Sequence, residues 1–136
     1  MYKKVLTIIL LLATFVLLSG CQIYDYSERG LQITKEFYHH LDNENYSQAK
    51  ELVSIFLKPK IEDMKNVFRA YEADVKYNGL EYKVVASNNE GVVIRAYYTL
   101  ILQTKFNNKS QDVIMEISLR PVENEGLKIV ALQQIK

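Results

Sequence analysis

Hydrophobic positions change period once along this chain. They recur at helical spacing as far as Val75 and alternate from Gly79 onward. Between Leu31 and Asn43, residues Ile33, Phe37 and Leu41 return every fourth position with Tyr38 beside them, which predicts an amphipathic helix. Asp42-Asn43-Glu44-Asn45 interrupts the stripe. Asn45 suits an N-cap, with Gln48 at the capping-box position, and a second helix follows through Tyr46, Ala49, Leu52, Val53 and Phe56. It must stop before Pro59, because the residue preceding proline avoids helical dihedrals. Pro59 then opens a third helix, where its missing N–H costs nothing. Glu62 and Asp63 sit near the positive end of that helix, and Ile61, Met64, Phe68, Tyr71 and Val75 form its apolar face.

From Gly79 the reading is four strands. Leu80, Tyr82, Val84 and Ala86 alternate with Glu81, Lys83 and Val85, and Asn88-Asn89-Glu90-Gly91 supplies turn residues. Val92 to Phe106 places Ile94, Ala96, Tyr98, Leu100 and Leu102 on one face. Its other face carries Val93, Arg95, Tyr97, Thr99, Ile101 and Gln103. After a turn at Asn107 to Ser110, Val113, Met115, Ile117 and Leu119 point one way on a third strand. Pro121 and Gly126 bracket the turn into a fourth, with Leu127, Ile129, Ala131 and Ile135 set against Lys128, Val130 and Leu132. Short turns pair consecutive strands, so the expected fold class is α+β: three N-terminal helices packed on one face of a curved, four-stranded antiparallel meander.

The first twenty-one residues follow a different rule. Lys3 and Lys4 give a positive start, and Val5 to Leu18 is apolar except for Thr7 and Thr14. Fourteen residues are too few for a bilayer core that needs about 20, and they match the apolar region of a signal peptide. Leu18-Ser19-Gly20-Cys21 closes the run. This segment resembles the bacterial lipoprotein signal. The resemblance implies cleavage before Cys21, lipidation of its thiol and a cell-membrane location on the extracytoplasmic face. Three segments are therefore expected: a signal peptide over 1–20, a lipidated tether over 21–30 and a folded domain over 31–136.

Composition narrows the chemistry. The chain has 136 residues and one cysteine. With Cys21 acylated, no thiol remains for nucleophilic, redox or zinc-binding work. Without Lys3 and Lys4 the mature part carries 15 basic and 16 acidic side chains, a balance that argues against nucleic acid as a partner. His39 and His40 are adjacent, about 100° apart on a helix, so they do not make a shared metal site; no metal and no cofactor beyond the lipid is expected.

The run Phe37-Tyr38-His39-His40-Leu41, followed by Asn45-Tyr46-Ser47-Gln48-Ala49-Lys50-Glu51-Leu52, resembles the opening helices of nuclear-transport-factor-two-like, cystatin-like cone domains. Small bacterial lipoproteins of this kind are similar in outline. The resemblance implies a pocket between helices and concave sheet, and pairing through sheets in many members. Enzymes of the family, such as ketosteroid isomerases and cyclases, work with acidic, tyrosine or histidine side chains in the pocket. Here the inward strand positions carry no carboxylate or histidine, so no catalytic residue is assigned.

Two sets of candidate residues remain. Tyr38, Phe68, Tyr71, Tyr82 and Tyr98 are candidate pocket lining for a small apolar ligand. Val93, Tyr97, Ile101, Ile114, Val130 and Leu132 make the other sheet face more apolar than a solvated face, a candidate surface for a homodimer or an envelope protein. The expected function is a membrane-anchored, non-enzymatic binding module. An accessory subunit of an envelope assembly and a pocket enzyme are the alternatives.

Overall fold

The computed structural model describes residues 25–136. Three helices pack on one face of a four-stranded antiparallel sheet, an α+β arrangement: α1 (Ser27–Asp42), α2 (Tyr46–Glu51), α3 (Lys58–Ala70), β1 (Asp74–Asn88), β2 (Gly91–Gln103), β3 (Asn108–Val122) and β4 (Gly126–Gln134). The strands lie in the order β1-β2-β3-β4. The core is made by Ile33, Phe37, Tyr38 and Leu41 of α1 against Ile94 and Ala96 of β2, Ile117 and Leu119 of β3 and Ile129 of β4.

Helix α1 begins at Ser27, four residues before the expected Leu31. Asp25 accounts for this: its Oδ1 accepts the Ser27 N–H at 2.9 Å and the Ser87 hydroxyl at 3.1 Å, tying the helix start to the end of β1. At the other end of the helix, Asp42 Oδ1 accepts the Tyr77 N–H at 3.2 Å. The outermost strand β1 is thus clasped to α1 near both of its ends. Gly30 allows the close approach between them and the sheet, because a Cβ there would stand 2.4 Å from Val92 Cγ1.

Both long helices end on a glutamate with positive φ. Glu44 (φ 57°) and Glu72 (φ 48°) occupy the left-handed position that glycine usually fills. Asn45 N–H reaches the His40 carbonyl and Ala73 N–H the Phe68 carbonyl, closing the same six-residue ring at each end. Helix α3 therefore stops at Ala70, and Val75, expected on its face, is a buried residue of β1. The second helix also ends early, at Glu51. Leu52 to Ser54 is drawn to the edge of β4, where Ser54 N–H meets the Ile129 carbonyl at 2.8 Å and Ile129 N–H meets that of Leu52 at 3.0 Å. Phe56, read as part of that helix's apolar face, stands outside it, 86% exposed. Asn45 does sit at the N-cap of α2, but its side chain makes no capping bond there.

Two outer strands carry irregularities. In β1, Gly79 and Leu80 intervene between the Asn78–Thr99 and Glu81–Tyr97 pairs, and Val85 between the Val84–Ile94 and Ala86–Val93 pairs. In β4, Val130 intervenes between the Leu119–Ile129 and Ser118–Ala131 pairs. A bulge adds one residue and so reverses which side later side chains face. Bulged edges also resist stray strand pairing.

Candidate functional site

The inner face centres on rings. Tyr38 from α1 meets Tyr98 of β2 with ring centroids 5.2 Å apart, Tyr77 of β1 at 5.6 Å and Tyr82 at 6.1 Å, while Tyr77 and Tyr98 lie 5.4 Å apart. These are the tilted and edge-on contacts that aromatic quadrupoles favour. The neighbouring Tyr98 hydroxyl adds to the upward push on the Tyr38 phenol. Burial is the main cause that raises all four phenols above their ordinary pKa, with Tyr82 pushed up to about 12. Tyr38 is the hub of the cluster, touching the other three rings.

Of the expected pocket lining, the structure brings together Tyr38, Tyr82 and Tyr98 and leaves out two residues. Tyr71 follows the end of α3 and is 71% exposed. Phe68 is half-buried and, with Tyr46, Glu44, Arg69, Glu72 and Ala73, lines a separate cavity of about 320 Å³. Tyr77 is the member missed from the sequence. Val75 and Tyr77 already alternate as strand residues do, and assigning Val75 to the preceding helix hid that signal.

On the outer face, Val93, Tyr97, Ile101 and Ile114 are all half-buried, and the described helices lie on the opposite side. Arg95 and Glu116 pair across this face at 3.2 Å, and the Thr99 hydroxyl donates to Asp112 at 2.8 Å. Leu132 does not belong to it. The bulge at Val130 sets Leu132 opposite Ile117, which is fully buried, and Leu132 packs against the core. Val130 is the bulged residue itself. Ile135, 44% exposed, lies beside Ile114 through an Ile135 N–H to Ile114 carbonyl bond of 2.9 Å, and it extends the apolar patch. A cavity of about 340 Å³ opens at the Gly79 bulge and takes its lining from both sides of the sheet, Tyr97, Thr99, Asp112 and Ile114 together with Tyr98 and Val113.

A concavity of about 900 Å³ lies between the start of α1 and the β3–β4 turn. Ile33, Leu52 and Leu127 supply its apolar lining, and Glu28, Arg29, Glu125 and Lys128 its charged groups. Among its polar groups, Asp25 is engaged with Ser27 and Ser87, Arg29 with Gln32 at 2.9 Å, and the Lys128 ammonium with the Glu51 carbonyl.

His39 is exposed and His40 half-buried, with rings 5.9 Å apart. Among the described residues no three His, Cys, Asp or Glu side chains come together to hold a metal ion, and no helix is long and apolar enough to cross a membrane. Cys21 and the apolar run before it lie outside the described residues. No protein-family model matches the chain, and no curated protein matches it in sequence.

Proposed function

We propose that the chain is a membrane-anchored, extracytoplasmic binding module without catalysis, lipidated at Cys21, that pairs with a second copy of itself through the outer sheet face. The observation that carries this reading is the apolar row Val93, Tyr97, Ile101, Ile114 and Ile135 on a face bearing no described helix. Arg95–Glu116 and Thr99–Asp112 already satisfy much of the polar surface between them, so a partner need not replace those bonds. The tyrosine cluster favours binding over catalysis, since Tyr38 packs against the other three rings and Asp42, the carboxylate that acts on Tyr77, already accepts the Tyr77 N–H. Helices followed by a bulged meander fit the nuclear-transport-factor-two-like cone, a shape that in many members pairs through its sheet. The lipobox Leu18-Ser19-Gly20-Cys21 supports the anchor and the location.

Sedimentation tests the interface. The expected result is a dimer at high micromolar concentration that Tyr97→Glu converts to a monomer without loss of helical signal. A wild-type monomer under the same conditions overturns it. Labelled palmitate tests the anchor separately: incorporation should vanish in Cys21→Ala, and equal labelling of both forms refutes lipidation.

A further inference from the structure

The turn between β2 and β3 is a built apex. Thr104 closes it: its hydroxyl accepts the Asn107 N–H at 3.1 Å, and its own N–H meets the Asn107 carbonyl at 2.9 Å. Phe106 projects from this turn 97% exposed, the most exposed large apolar side chain of the described residues. The apex from Thr104 to Lys109 reads Thr-Lys-Phe-Asn-Asn-Lys, two cations and no acid. Glu72 does reach Lys105 at 2.8 Å, but both partners are more than half exposed, so the pair is weak and yields to a competing anion. Val67 on the last turn of α3 and Tyr71 just after it, both exposed, stand next to Glu72, at the same end of the molecule.

We propose that this apex is an interfacial membrane contact, with Phe106 entering the headgroup region of an anionic bilayer and Lys105 and Lys109 meeting its phosphates. An aromatic ring between two lysines suits that boundary, where apolar area is buried and the ammonium groups stay wet. Each lysine near such a surface contributes about 1 kcal/mol. Alone that is a weak contact. It gains from any attachment of the same chain to the membrane, because the second contact then becomes intramolecular. The chain enters the domain at Asp25, beside Ser87, at the other end of the sheet. Thirteen residues of β2 separate the two ends, on the order of 40 Å. A domain held at both ends lies along the membrane surface. This orientation rests on the anchored reading above, whereas the apex contact does not.

The chain has no tryptophan, so Phe106→Trp provides a single reporter at a site where substitution disturbs no packing. The full chain carrying it is reconstituted in phosphatidylcholine vesicles with and without 30% phosphatidylglycerol. In the anionic vesicles the indole emission should shift to the blue by about 10 nm and be quenched by brominated lipid, and Lys105→Glu with Lys109→Glu should abolish both effects. Emission unchanged between the two vesicle types, or an indole open to iodide but not to brominated lipid, overturns the proposal. So does shielding that appears only when a membrane-protein extract is added, which assigns the apex to a protein. Quenching by brominated lipid reads the apex directly, and palmitate labelling reads Cys21, so failure of one is distinguishable from failure of the other.

Discussion

Tyr38 shows how one residue sets the character of the interior. Its ring is 2% exposed and touches three other tyrosines. Such a phenol stays protonated in the folded chain at a pH where the unfolded chain ionises. The direction of the pH effect follows. With folded pKa values raised above the ordinary 10.0, the stabilisation by Tyr38, Tyr77, Tyr82 and Tyr98 is complete below pH 10 and is lost as pH rises through their folded values, that of Tyr82 being about 12. A fully buried phenol contributes a slope of about 1.4 kcal/mol per pH unit above its unfolded pKa, and the half-exposed Tyr82 contributes less. Urea unfolding at pH 8, 10 and 11 should show stability falling steeply over the upper interval. The stability of Tyr38→Phe should fall less steeply over that interval, by close to one proton's slope. Parallel curves for the two proteins would show that Tyr38 does not resist ionisation.

At the scale of elements, the period change from helix to strand was legible, and so was the inward set on β2, because Ile94, Ala96 and Tyr98 alternate without a break. Stops and bulges were not. Glu44 and Glu72 end their helices in a conformation that sequence reading expects of glycine, so the third helix ran on to Val75 and Tyr77 went unseen. The early end of α2 depends on hydrogen bonds to Ile129, some 75 residues away, which local pattern cannot reveal. Val130 carries no glycine or proline signal for a bulge, and so Leu132 was placed on the wrong side. Paired substitutions check that reversal. Leu132→Lys, which forces a charge toward Ile117, should lower stability by about 3 kcal/mol, whereas Ile101→Lys on the outer face should lower it by less than about 1 kcal/mol. Comparable losses at both sites, measured by urea midpoint, would contradict the register.

As a whole molecule, the domain draws its core from every layer at once. Gly30, Val53, Val92, Leu119 and Ile129 form one buried row crossing from α1 through the sheet to the segment after α2: Gly30 abuts Val92, Val92 pairs with Leu119, Leu119 with Ile129, and Ile129 bridges Val53. Glu62 binds Lys50 and Lys65 at 2.9 and 2.8 Å, joining α2 to α3, and these partners hold its carboxyl down to about 2. No element can leave without exposing a neighbour's buried side. The core formed by the described residues spans every layer, so the fragment 25–136 should fold alone and unfold in one cooperative transition, with the stability of about 5–15 kcal/mol usual for a small domain. Circular dichroism in the far and near ultraviolet, followed through a urea titration, should give one midpoint. Helical signal lost ahead of the tyrosine near-ultraviolet signal would mean that the Gly30–Val92 contact fails to couple helix to sheet. A fragment that stays unfolded would mean that residues 1–24 supply part of the core, which would turn the N-terminal segment from an anchor into a structural element.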